Sequence, residues 1–268
     1  MRFREFNVYL QVIKTGLIRS LTYKFEVYSN ILMQAIIMIA SAYFWRALFK
    51  NADSVQGVNV ETMLVYTVMS SVISIVMLTN VERRITQSVQ KGNIAVDMMR
   101  PVNIFAVFFA EDIATLVALV FQNMIPVIIV GCLIVGIPTP VSVEAFGMFM
   151  ISLVMAYLIN WLIAVMVGMI GFSSINVDAL FQVKKHLIRL LSGSIVPLWF
   201  FPAWFSSTLR ALPFAYLYQL PLEIYVGRAT GDEIMMGLLI QFCWLLLLFI
   251  LFLYLEKRVT KKVMVQGG

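Results

Sequence analysis

Six stretches of this chain run for the thickness of a membrane without one charged residue: 27–45, 62–81, 113–143, 145–177, 190–209 and 234–255. A helix needs about 20 apolar residues to cross a hydrocarbon layer. Two of the runs exceed that length, and Gly136, Pro138 and Pro140 mark the break between the third and fourth spans. Nothing but a bilayer can take up so much apolar surface. The chain is 61% hydrophobic and 13% charged, against roughly a quarter charged in soluble domains. The expected fold is an all-α polytopic membrane protein with six transmembrane helices.

Orientation follows from the basic residues. With the N-terminus inside, every one of the 20 Lys and Arg except Arg46, Lys50, Arg210 and Arg228 falls on the cytoplasmic side. Excess Lys and Arg collects in cytoplasmic loops, so both termini are expected there. The same bias accounts for the net charge of +6. No basic cluster is interleaved with exposed aromatics, which argues against a nucleic-acid partner.

Three elements interrupt the spans. Residues 1–23 read as an amphipathic helix lying in the membrane interface. Phe3, Phe6, Leu10, Ile13, Leu17 and Leu21 fall on one face, with Arg4, Gln11, Thr15 and Arg19 on the other. Residues 195–230 hold Pro197, Pro202, Pro213 and Pro221, with Trp199, Phe200, Phe201, Trp204 and Phe205 clustered near one end. Repeated prolines break a helix and interfacial aromatics mark headgroup depth. The expectation is a re-entrant hairpin of short helices in the outer leaflet. Residues 82–103, ERRITQSVQKGNIAVDMMRPVN, form a compact polar loop. Its first half reads as a helix from Glu82 to Gln90 with Gly92 as the stop. Ile94, Val96, Met98 and Met99 then make a short apolar face, and Pro101 opens the next span. Such an element offers a knob to a soluble partner.

Several chemistries lack their residues. His186 is the only histidine, which excludes a two-His metal site. Neither HExxH nor GxSxG occurs, and the Walker A pattern is missing. Cys132 and Cys243 sit inside apolar runs and suggest no disulfide. A signal peptide with a continuous apolar core is not visible at the N-terminus. Ionisable groups are expected at the span ends and not at mid-membrane: Glu82, Glu111, Asp112 and Asp178 near the cytoplasm, Glu144 outside. Asn160, Gln122 and Asn123 intrude on spans and read as interhelical hydrogen-bonding groups.

In this order the elements resemble the six-span permeases of the type-2 ABC exporter family. The resemblance covers essentially the full chain and rests on four features. They are the amphipathic N-terminal helix, the six spans, the G-x-I-x-x-x-M-x-R-P-V-N stretch from Gly92 to Asn103, and the proline- and aromatic-rich hairpin with the LPFAYLYQLPLEIYVG stretch from Leu212 to Gly227. It looks like the branch whose permeases are often encoded in pairs beside one ATPase. The resemblance implies that residues 82–103 hold a coupling helix seated in an ATPase subunit. Glu82, Arg83, Arg84, Gly92, Arg100 and Pro101 would carry that contact. It implies two copies of a cytoplasmic ABC ATPase, which would bind ATP and Mg, so no cofactor is expected in this chain. A second six-span permease, identical or homologous, and membrane lipids complete the partners. Spans two and five would line the path, with Ser70, Ser71, Ser74, Ser192 and Ser194 as its polar groups. These serines could equally bond helix backbones.

The function so implied is export of an amphipathic cargo (peptide, drug or lipid-like) across a bacterial inner membrane. A non-transporting sensor or immunity subunit of the same fold is the alternative. A lipid-modifying membrane enzyme lacks a catalytic constellation, and an ion-coupled transporter lacks charges at depth.

Overall fold

The computed structural model describes residues 2–20, 24–51, 53–94, 102–136, 138–172 and 177–266. The described residues are mostly helical. The single strand-like feature among them is an isolated bridge between Val55 and Val58. The helices are α1 (Arg2–Ser20), α2 (Lys24–Leu48), α3 (Val60–Val76), α4 (Val81–Gln90), α5 (Ile104–Leu119), α6 (Ile125–Val135), α7 (Val143–Met169), α8 (Asp178–Leu191), α9 (Ala203–Arg210), α10 (Ala215–Tyr225) and α11 (Asp232–Gln266).

Side-chain caps start three of the long helices. Asn59 accepts from the Thr62 amide at 2.9 Å, Asn103 from Ala106 at 3.0 Å and Ser142 from Ala145 at 3.0 Å. Each satisfies an amide that would otherwise lack an intrahelical partner. A π turn, Val120–Met124, joins α5 to α6. Pro126 supplies the reason: it has no N–H to offer Gln122, so the ladder must widen locally.

Among the described residues, five helical stretches are long and apolar enough to cross a membrane: Tyr28–Leu48, Val60–Gln90, Ile104–Val135, Val143–Met169 and Asp232–Lys261. This is a multi-pass membrane protein. The expected fifth span, 190–209, is not one helix. It divides into the end of α8, a 3-10 turn (Leu198–Phe200) and α9. Gly193 sits at φ +81°, outside helical space, and Pro197 and Pro202 bring no amide to a ladder. A second correction concerns the third span, which begins at Ile104 and not at 113. Glu111 and Asp112 therefore lie inside it.

The bundle has two ends. One, the near face, brings Glu256 of α11 to Asn103 and Lys184 of α8 to Glu82. The other, the far face, brings Arg46 to the Ile134 carbonyl and Arg228 to the Gln56 carbonyl. α7 is the hub, packing on α4, α10 and α11. α3 and α7 are the most enclosed spans, with 67% and 50% of their apolar windows buried, against 17% for α2 and α11. The outer helices thus present Leu32, Ile36, Phe242, Ile250 and similar side chains outward, as a lipid-facing surface requires. α1 runs along α5, and the two approach so closely at Gly16 that a Cβ there would lie 2.8 Å from the Ala114 Cβ.

α4 lies against α7 at Gly168, where a Cβ would meet the Glu82 Cα at 2.8 Å. Backbone on that side cannot swing away as a side chain can. Gly168→Leu is expected to push α4 off α7 and cost about 2 kcal/mol. Gly147→Leu, with nothing within 4 Å, is the control. Melting temperatures of the two purified variants in detergent check this; equal values would refute it.

Candidate functional site

The polar loop singled out by the sequence lies at the near face. Residues Met77 to Asn80 interrupt the helix between α3 and α4. The break leaves the Met77 carbonyl without a helical partner, and Asn160 Nδ2 from α7 donates to it at 2.8 Å. Thr79 donates its hydroxyl to Asp112 of α5. α4 then runs with Val81, Glu82, Ile85 and Thr86 buried and Arg83, Gln87 and Gln90 exposed.

The two faces of α4 have different partners. Glu82 is 7% exposed and pairs with Lys184 Nζ of α8 at 2.5 Å. Arg84 also turns inward. Its guanidinium lies 3.0 Å from Asp112 and 3.4 Å from Glu111, and donates to Thr115 Oγ1 at 3.1 Å. Buried charges persist in a low-dielectric setting only when matched this way. Of the three charged residues expected to face a partner, Arg83 alone is exposed on the outer side of α4. Lys91 and Gly92 follow it, both exposed. The Gly92 amide donates to the Val89 carbonyl at 3.0 Å and closes the helix. Ile94 is buried. Arg100 and Pro101 lie outside the described residues.

The five serines nominated for a path are engaged with backbone or with neighbouring helices, apart from one. Ser70 donates to the Ser194 carbonyl at 2.6 Å, Ser71 to Thr67 at 3.0 Å and Ser74 to Ser71 at 2.7 Å. Ser74 also accepts from Gln34 of α2 at 3.1 Å. Ser194 donates to the Arg189 carbonyl at 2.9 Å. Ser192 is fully buried and its hydroxyl has no partner among the described residues.

What surrounds Ser192 to Pro197 is a polar seam that sequence reasoning missed. Tyr66 of α3 donates to the Gly193 carbonyl at 2.7 Å and lies 3.1 Å from Gln219 Oε1. The same Gln219 oxygen accepts from the Leu198 amide at 3.0 Å, and the Gln219 amide donates to the Ser192 carbonyl at 3.1 Å. Gln219 Nε2 donates to Glu223 at 2.9 Å, and Glu223 receives Arg210 at 2.5 and 3.1 Å. Irregular backbone inside a membrane protein must be buried and satisfied internally; α3 and α10 do this for the break after α8. The signal in the sequence is the i, i+4 pair Gln219 and Glu223 in an otherwise apolar helix. Trp199 caps the seam, edge-on to Tyr66 at 5.2 Å and beneath the Arg228 guanidinium at 4.6 Å.

A family model described as ABC-2 family transporter protein matches residues 15–267. The chain belongs to the ABC-2 transporter family. No curated protein matches it. As an ABC-2 family member it is the membrane subunit of an ABC transporter, a permease, and its several apolar spans agree with that. The family match covers the seam, the near-face loop and all five spanning stretches.

Proposed function

We propose that this chain is the permease half of an ATP-driven exporter whose ATPase docks at the near face, on the outer side of α4 and the loop that follows. The observation that carries this reading is the division of α4: one face is locked into the bundle by Glu82 and Arg84, and the other presents Arg83, Gln87 and Lys91. A lever needs both a fixed side and a free side. Gly92, Arg100 and Pro101 belong to the same proposed contact. The concentration of Lys and Arg toward this face supports its being cytoplasmic, with both termini there. A bacterial inner membrane suits such a chain.

On this reading two ATPase copies bind ATP and Mg, and their closure turns α4 against the bundle. A second permease, identical or homologous, completes the path. An amphipathic cargo such as a peptide, drug or lipid-like molecule needs no charge in that path. Such gating requires two states of the membrane helices whose populations ATP shifts.

The test is purification through a tag on this chain in mild detergent, with the mass of the complex measured. Recovery of a Walker-type ATPase supports the reading, and the mass reports whether one or two kinds of permease are present. A chain that purifies alone under several conditions overturns it. Arg83→Glu is expected to lower the affinity for the ATPase about tenfold, since reversing one interfacial charge changes binding by roughly 1–2 kcal/mol. Insertion of the variant stays normal because its side chain touches solvent. Undiminished ATPase recovery from the Arg83→Glu chain would remove α4 from the interface.

A further inference from the structure

The break at Met77 to Asn80 raises a mechanical question. The hydrogen-bond ladder of α3 does not continue into α4: the last bonds of α3 run from Met77 to Ile73 and from Leu78 to Ile75, and the next begins at Arg84 to Asn80. A turn of α4 therefore cannot pass along the backbone of the second span as it would along a continuous helix. It must pass through the side chains that hold α4.

Those side chains reach two other elements. Glu82 binds Lys184 of α8, with side-chain exposures of 10% and 11%. Arg84 binds Asp112 of α5, whose side chain is 2% exposed. We propose that Lys184 and Asp112 are positioning residues, a latch that ties α4 to α8 and α5 and passes its movement to them. This deepens the coupling reading above and rests on it.

The geometry gives the latch a destination. Lys184 lies two turns before the end of α8 at Leu191. Beyond it, the chain breaks at the Ser192 to Pro197 segment, which Tyr66, Ser70 and Gln219 hold at the centre of the bundle. A displacement at Lys184 is carried by a rigid helix to this segment. Pairs as dry as Glu82–Lys184 contribute registration between elements more than stability, which is the property a transmission contact needs. The close packing of Gly168 on Glu82 and of Gly171 on Thr86, at 2.8 Å each for an added Cβ, seats α4 directly on α7, so the contacts to α8 and α5 sit at a fixed place on its length.

The experiment uses chains with Cys132 and Cys243 replaced by alanine and spin labels placed at exposed positions. In the chain alone, labels at Gln87 and Lys185 report the contact between α4 and α8. Glu82→Gln is expected to broaden their distance distribution, and an unchanged width overturns the latch with no ATPase needed. In the ATPase complex in nanodiscs, labels at Lys185 and Ser207, both exposed and outside the proposed docking face, report transmission to the far face. ATP with vanadate is expected to shift this distance in the parent. Lys184→Met keeps the ATPase bound but loses the shift, and the exchange of both charges, E82K with K184E, restores it. A full shift in Lys184→Met, or none in the charge exchange while the parent shifts, overturns the proposal. A parent chain that recovers no ATPase overturns the coupling reading instead, and the first label pair still decides the latch.

Discussion

A Gly193→Ala chain is expected to lose about 3–5 kcal/mol of stability. Gly193 holds φ +81°, and a Cβ there would lie 2.2 Å from Gln219 Oε1 and 3.3 Å from the Tyr66 hydroxyl. The left-handed conformation alone costs alanine roughly 1–2 kcal/mol. The larger part comes from Gln219. Its oxygen accepts from the Leu198 amide and lies within bonding distance of Tyr66. Displacing it leaves buried donors unsatisfied at roughly 1–3 kcal/mol each. Gly57→Ala separates the two contributions, because Gly57 has φ +73° and nothing within 4 Å of an added Cβ. Melting of the purified chains in detergent decides the matter. If the two variants melt together, the seam contributes nothing beyond backbone strain.

The second large effect is expected from Arg84→Leu, a loss of about 3 kcal/mol. The substitution strands Asp112, which keeps the Thr79 hydroxyl and the Asn80 backbone amide but no cation, beside the half-exposed Glu111. Removing one partner of a buried pair costs roughly 3–5 kcal/mol. The lower end applies because the Arg84 side chain is 27% exposed and water can reach its place. Asp112→Asn added to Arg84→Leu is expected to recover most of the loss, since a neutral amide needs no counter-ion. A double variant no more stable than the single one would show that Asp112 was not the group left uncompensated.

Much of this architecture was legible in the sequence. The break after Val135, the helix ending before Gly92 and the interhelical role of Asn160 follow from local residue chemistry. The boundaries drawn at charged residues were less sound. Arg84 and Asp112 neutralise each other across two helices, so each can lie deeper than a single-sequence count allows. The run 190–209 shows the converse error: it has no charge, yet one glycine and two prolines prevent a span. The pairing of Glu82 with Lys184, 102 residues apart, depends on how α8 packs and leaves no trace in either segment. Ser70 and Ser194 were nominated as lining groups, and what holds them together is a carbonyl freed by the same break.

The buried state of α10 bears on how the protein is made. Every one of its 11 residues is buried, and at about 1.5 Å per residue it is roughly half as long as a span. It also carries Gln219 and Glu223, which hydrocarbon does not accept without partners. The translocon cannot release such a helix sideways into lipid. α3 and α7 supply part of its surroundings early, but α11 is synthesised after it, and Gln241 of α11 donates to the Tyr216 carbonyl at 2.9 Å. Biogenesis is therefore ordered: α10 waits at the membrane edge until α11 has been synthesised and can close over it.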